Sequence, residues 1–472
     1  MLMMSMMSMM PVMSMMSVMS MLFENMFFLF FICVLLGWFL GILTGMIPGI
    51  HVNNIAAVLV GMLPVFTAAG FSPLSVCLLI LSCAVSHTFH NIIPAIFLGV
   101  PSEDTALAVL PGHRLLLMGQ GLAAIRLSAL ASAGSVLLSL IFIIPMALFL
   151  FCAYPILEPH MGFILIAISL LIILSERPLS KIMPAAFVFL CAGMLGYFAF
   201  GLDGQLNPLL FSADASVLMP LLSGLFGLPL LIVSLFQKSE IPTIREHIDM
   251  FPKSLFLKNT IIGTLAGAFV SWIPGVSSSV AAILAGVFTG KSKGRKDEDT
   301  DEMNEDDEED EENNAKEFIV TVSAISTANA VFGLLAFFVI GKSRNGAVVS
   351  IKDILSASDI IVQTGVMSGD TFSLFLLFYA VIVLTGFLSY FSTLDLGKIV
   401  PRLLSRLNYK LISGFVIALL VVLTLLLTGI YGFILFLASV FVGFLPVLLK
   451  TRKSALMGVI LFPVMLYFLG LR

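Results

Sequence analysis

Apolar runs of roughly 20 residues, the length of one membrane-crossing helix, recur along most of this chain and are separated by short polar stretches. The pattern predicts about ten to twelve spanning or partly spanning segments. Lipid admits only helices and closed barrels, and the runs lack the apolar–polar alternation of a barrel strand. The predicted fold class is therefore an all-α polytopic membrane protein. From Leu122 onward the runs are Leu122–Ala153, Met161–Leu174, Ile182–Phe200 and Ser216–Phe236, then Thr371–Phe391, Leu411–Leu427, Gly432–Leu449 and Ala455–Leu469.

Within this pattern one unit occurs twice. Gly41–Gly61 reads GILTGMIPGIHVNNIAAVLVG, and Gly263–Gly286 reads GTLAGAFVSWIPGVSSSVAAILAG. Each has Gly-x-x-x-Gly, then Ile-Pro-Gly, a polar patch, and an Ala-Ala-containing apolar arm ending in glycine. Further on, Ser86–Thr105 (SHTFHNIIPAIFLGVPSEDT) parallels Ser323–Ala347 (SAISTANAVFGLLAFFVIGKSRNGA). Each has a patch ending in Asn91 or Asn329, an apolar helix, and a polar break led by Gly99 or Gly341. The copies span residues 27–120 and 256–355. They divide the chain into a first half, 22–255, and a second, 256–472, after a Met/Ser-rich stretch at 1–21. That stretch has no basic region and does not resemble a cleaved signal.

Charge supplies orientation. Bases cluster at His113–Arg126, Arg177–Lys181, Lys238–Lys258, Lys291–Lys296, Lys398–Lys410 and Lys450–Lys453, which the positive-inside rule assigns to the cytoplasm. Copy two then starts inside at Lys258. Copy one starts outside near Glu24, because its helix Leu74–Leu98 must end at the basic stretch from His113. The copies are predicted to be inverted, an arrangement of secondary transporters whose site lies where broken helices meet. Only 11% of residues are charged and 59% are hydrophobic, which excludes an ordinary soluble domain. The net charge of −4 misleads, since residues 297–312 hold 13 acids, and the remainder balances 24 bases against 15 acids. This acidic run is expected to be a solvated loop. The five cysteines form no metal or disulfide pattern and read as small core residues.

The chemistry is expected at the breaks. Proline removes a backbone donor and glycine permits a turn, leaving polar groups at the start of the next helical arm. In copy one these are Gly49, His51, Asn53 and Asn54; in copy two, Gly275, Ser277, Ser278 and Ser279. Free N–H groups and the positive dipole end there suit an anion. The same residues would equally serve as N-caps between two full-length helices. At the later breaks, Arg344 with Asn345 would grip a carboxylate, Lys342 adding charge, or Lys342 and Arg344 would sit at a membrane interface, and Glu103 and Asp104 would hold a cation or a proton, or act as first-turn acids. His87, His90 and Asn91, with Asn329 in copy two, are polar groups inside apolar helices, where each needs a partner or a wet cavity. These are the candidates for a coupling ion or proton. A His-x-x-His pair also fits a metal, which leaves a membrane-embedded metal enzyme as the alternative and an ion channel as a third reading. No phosphate-binding Gly-rich loop is present.

The Gly-x-x-x-Gly…Pro-Gly hairpin, the Gly-Val-Pro break at Gly99 and the Leu-Pro-Gly-His-Arg…Met-Gly-Gln-Gly stretch at Leu110–Gly121 resemble the large permease subunit of tripartite tricarboxylate transporters. The resemblance covers residues 37–135 and, more loosely, 260–350. It implies a non-enzymatic permease of the cytoplasmic membrane, driven by Na+ or H+ and taking up carboxylates without a bound cofactor, its two Pro-Gly breaks lining the site. It also implies a small membrane subunit and an extracytoplasmic binding protein. The expected partners are thus a small carboxylate, the bilayer, those subunits and a second copy in a homodimer, with no nucleic acid.

Overall fold

The computed structural model describes residues 28–47, 52–99, 105–176, 178–209, 217–236, 251–288, 305–343, 345–358, 369–404 and 409–471, and among these it is helical with no strand. The first half contains α1 (Phe28–Met46), α2 (Val52–Gly61), α3 (Leu63–Ala68), α4 (Pro73–His90), α5 (Ile92–Phe97), α6 (Val109–Leu117) and α7 (Gly121–Leu157). After these come α8 (Met161–Leu174), α9 (Ile182–Gly201), and α10 (Leu218–Leu222), which a π turn at Ser223–Gly227 joins to α11 (Leu228–Phe236). The second half contains α12 (Lys253–Val270), α13 (Ser278–Phe288), α14 (Glu305–Ile340), α15 (Gly346–Ala357), α16 (Gly369–Leu404), α17 (Tyr409–Leu449) and α18 (Gly458–Phe468).

Seven helical stretches among the described residues are long and apolar enough to cross a membrane. Shorter apolar helices such as α2, α13 and α18 fall below that length. The apolar runs Leu411–Leu427 and Gly432–Leu449 are two helical arms that meet at Gly429 within the stretch α17, and Val416, Leu420 and Phe436 from the two arms share one buried cluster. Gly429 turns there at φ +68, and a side chain at this position would run into the carbonyl of Asn207.

Burial separates the centre from the rim. In the most apolar 18-residue window of each stretch, 94% of residues are buried for α4–α5 and 89% for α14, whereas 22% are buried for α7–α8. On α7, Leu137, Ile141, Ile144, Leu148 and Phe151 are all exposed. Their three- and four-residue spacing makes one lipid-facing stripe. Cys152 belongs to this surface rather than to the core expected for it, while Cys33, Cys77 and Cys83 are buried.

Glycines set how the central helices meet. A Cβ built on Gly45 would lie 2.8 Å from the Cβ of His90, and one on Gly267 would lie 2.6 Å from the Cβ of Ala328. One turn earlier, Gly41 faces Ser86 and the carbonyl of Cys83, and Gly263 faces Ala324 and the carbonyl of Thr321. Each Gly-x-x-x-Gly therefore removes two side chains so that α1 can lie on α4, and α12 on α14, nearly backbone to backbone. The contacts advance together along both chains, so each pair runs in the same direction. They also pair Ser86 with Ala324 and His90 with Ala328, the same spacing that relates Asn91 to Asn329.

Side-chain bonds give the remaining directions. Ser82 meets Thr385 and His90 meets Ser392, so α16 runs with α4. Ser135 meets Thr264, and Tyr154 packs on Trp272, so α7 runs with α12. Tyr379 donates to the carbonyl of Val136, while Gly397 lies against Ile125, so α7 and α16 run in opposite directions. It follows that α1 and α4 run opposite to α12 and α14.

The acidic stretch does not remain a loop. Residues 297–304 lie outside the described set, but Glu305–Glu312 form the first turns of α14. Acids at a helix N-terminus face its positive dipole end. Here two of them also find cations: Glu311 pairs with Arg114 of α6 at 2.9 Å, and Glu312 pairs with Lys316. These contacts offset the like-charge repulsion that the composition alone suggests.

Candidate functional site

In copy two, α12 stops at Val270 and the chain turns through Ser271–Gly275 before α13 begins. Gly275 has φ +76, a conformation glycine adopts without a Cβ penalty, and it lies against Val464 of α18. The hydroxyl of Ser277 accepts the N–H of Val280 at 3.4 Å, so this serine caps α13. Ser278 is fully buried, and Ser279 is helical. Trp272 sits at the turn among Phe149, Tyr154 and Phe269.

Copy one meets copy two at the later break. Asn53, in the first turn of α2, accepts the N–H of Ala347 on Oδ1 at 3.2 Å. Asn345, the N-cap of α15, accepts the same N–H at 3.0 Å. Gly346 leaves the space that Asn53 fills. Two expected site residues from opposite halves of the chain thus converge on one helix N-terminus. Gly49, His51, Glu103, Asp104 and Arg344 lie outside the described residues, and Asn54 lies on α2. Lys342, beside Arg344 in sequence, pairs with Glu158 at the end of α7 at 2.9 Å, and both side chains are exposed.

The polar groups of α4 form a second cluster. Nδ1 of His87 bonds the Thr44 hydroxyl of α1 at 3.0 Å. Nδ1 of His90 lies 2.7 Å from the Ser86 carbonyl, and its Nε2 lies 2.8 Å from the Ser392 hydroxyl of α16. A carbonyl only accepts, so Nδ1 of His90 carries a hydrogen. The two rings are thus directed to different helices, and no group of three His, Cys, Asp or Glu sits together among the described residues. Asn91 is buried at the end of α4, and Asn329 is partly exposed on α14. Thr44, Thr385 and Ser392 are site neighbours that the sequence did not single out. Their only signal is a hydroxyl inside an apolar run, a feature shared by many Ser and Thr residues here.

A charged cluster lies in the polar connections outside the spans. Glu176 accepts the N–H of Arg452 at 2.8 Å, and Lys181 donates to the carbonyl of Leu449 at 3.0 Å. Burial pushes the Glu176 carboxyl up, against the opposing pull of that N–H and of the charges on Arg452 and Lys181. Burial also pushes His113 down, with the nearby charge of Lys453 adding to the effect. Lys453 itself is pushed down by burial from 10.5 to about 8. Between these two values the unfolded chain holds a proton that the folded chain lacks, so stability rises with pH across that window. Thermal melts in detergent between pH 7 and 10 should show this rise. Lys453→Met should flatten it and raise the melting temperature at pH 7.

Seven apolar helical stretches, several short arms and buried polar groups at helix breaks define a multi-pass membrane protein. The chain belongs to the TctA family of tripartite tricarboxylate transporters, whose sequence pattern matches residues 31–458. It is also 30% identical over 455 residues to an uncharacterized protein of Methanocaldococcus jannaschii, covering 92% of this chain and 98% of that one. No solved structure matches.

Proposed function

We propose that this chain is the permease that carries a small carboxylate across the cytoplasmic membrane, coupled to Na+ or H+, through a site built between two inverted copies of one helical unit. The observation that carries this reading is the convergence of Asn53 from the first break with Asn345 and the N-terminus of α15 from the other half. A helix N-terminus held by uncharged amides suits a carboxylate without burying a full opposing charge. The opposed directions of α4 and α14, combined with their matching glycine contacts, support the inversion. The tripartite description of the family supports a small membrane subunit and an extracytoplasmic binding protein as partners.

Counterflow in proteoliposomes against a panel of mono-, di- and tricarboxylates tests the reading. Saturable exchange of at least one of them is expected, and currents with no saturable exchange would instead favour a channel. Asn53→Ala and Ser278→Ala should each weaken binding. A lost hydrogen bond to a charged group is worth roughly 1.5–3 kcal/mol, so affinity should fall about ten- to a hundred-fold. Thermal stability measured alongside separates site damage from folding damage. Unchanged affinity in both variants would make the breaks structural and move the site elsewhere.

A further inference from the structure

The copies pack alike but differ chemically at one place. Gly45 receives the Cβ of His90 just as Gly267 receives the Cβ of Ala328, and Gly41 receives Ser86 as Gly263 receives Ala324. Alanine in copy two satisfies this packing, so the contact with α1 does not call for an imidazole. The ring of His90 instead reaches α16, and it is fully buried.

Its bonds there have two complete arrangements. In the neutral ring, Nδ1–H donates to the Ser86 carbonyl and Nε2 accepts the hydroxyl hydrogen of Ser392. With one proton added, Nε2–H donates to the Ser392 oxygen, and the Ser392 hydroxyl turns to the carbonyl of Leu388 at 3.1 Å or of Ser389 at 3.2 Å. No heavy atom has to move between them. On the same stretch of α16, the hydroxyls of Ser389 and Thr393 are fully buried and have no hydrogen-bond partner among the described residues. Buried hydroxyls left unpaired cost roughly 1–3 kcal/mol each, so this pair is suited to bind a hydrogen-bonding group. Thr385, Ser389 and Ser392 recur at four- and three-residue spacing, which puts all three on the face of α16 that meets α4.

We infer that the coupling ion is a proton, bound by His90 and relayed through water held by Ser389 and Thr393 in the seam between α4 and α16. The proton comes from water on one side of the membrane, resides on Nε2 while substrate crosses, and returns to water on the other side. Copy two has Ala328 in the equivalent place and does not repeat this site. This rests on the permease reading above and narrows its coupling ion. The surroundings leave His90 as the group that titrates in the seam. α1 and α5 carry no charged residue, and on α4 the other titratable groups are His87, bonded to Thr44, and the thiols Cys77 and Cys83. On α16, Asp395 and Lys398 pair with each other and Tyr379 donates to the carbonyl of Val136; on α14, Glu311 pairs with Arg114, Glu312 with Lys316, and Glu317 accepts from Asn259. Arg126 of α7 is partly exposed, and Lys352 and Asp353 of α15 are exposed.

The test uses the full chain in proteoliposomes, with whichever carboxylate shows counterflow. Wild-type protein should accumulate it under an acid-outside pH gradient in sodium-free buffer, and an inward sodium gradient alone should drive nothing. His90→Gln should retain counterflow but lose at least about tenfold in gradient-driven accumulation. Ser392→Ala and Thr393→Val, which disturb packing less, should shift the pH of half-maximal accumulation by about a unit. A structural histidine would lower both counterflow and accumulation and leave the pH profile in place. Sodium-driven accumulation, or a His90→Gln protein that still follows the pH gradient, overturns the inference while leaving the permease reading intact. Absence of any carboxylate counterflow in wild-type protein would instead remove the permease reading, and the inference with it.

Discussion

Deleting residues 297–312 is expected to cost the protein its stable fold, whereas deleting residues 297–304 alone should leave it nearly unchanged. The sequence contains one acidic run, but its two ends have different roles. Lys316 is only 2% exposed and its charge is met by Glu312. Glu311 meanwhile ties the start of α14 to Arg114 on α6. Removing one member of a buried ion pair leaves an uncompensated charge and costs roughly 3–5 kcal/mol. Glu312→Gln should therefore lower thermal stability nearly as much as the longer deletion. The double variant Glu312→Leu with Lys316→Met should recover much of it, since apolar replacements of a buried pair are often neutral. Melting curves of detergent-purified variants, with monodispersity checked by size exclusion, measure this. A 297–312 deletion that melts like the wild type would show that Lys316 has another partner.

Gly267→Leu and Gly41→Leu should each prevent accumulation of folded protein. A Cβ on Gly267 would sit 2.6 Å from both the Cβ of Ala328 and the carbonyl oxygen of Ile325. Real Cβ atoms do not approach that closely, so α12 would have to move away from α14 along a helix that is almost wholly buried. Overpacking of this kind costs typically 1–3 kcal/mol for an added methylene and more for a whole side chain set against backbone. Ala328→Gly in the Gly267→Ala background should restore part of the loss, because it removes one of the two obstructing atoms and leaves the carbonyl. The readout is membrane yield and melting temperature for the single and double variants. Wild-type stability in Gly267→Leu would mean that the helices can separate freely, contrary to the packing described.

The places where sequence reading succeeded share a cause. Apolar runs predict helices because lipid leaves the backbone no other way to satisfy its hydrogen bonds. The Pro-Gly breaks were legible because proline and glycine act locally, as Pro274 and Gly275 do between α12 and α13. The family resemblance rested on the same short motifs, and the match over residues 31–458 agrees with it. The acidic run was misjudged at Glu305–Glu312 because composition counts repulsion within a segment and cannot see Arg114 on another helix. The core assignment of Cys152 failed for a related reason, since an apolar helix in lipid has an outer face as apolar as its inner one.

By itself, then, the chain determined what depends on near neighbours: the solvent it requires, the helices, their interruptions, and two similar units in the same order. Tertiary structure decided what depends on register between distant segments. Asn53 meets Ala347 across 294 residues, and His90 meets Ser392 across 302. Neither distance leaves a trace in spacing or periodicity, because a contact between two helices is selected by which faces pack, and those faces are set by glycines elsewhere. Gly45 and Gly267 make the same contact in both copies, yet only one copy places an imidazole beyond it. The packing therefore settled the shared scaffold, and the side chain directed away from that packing is where the two copies present different groups, an imidazole against a methyl.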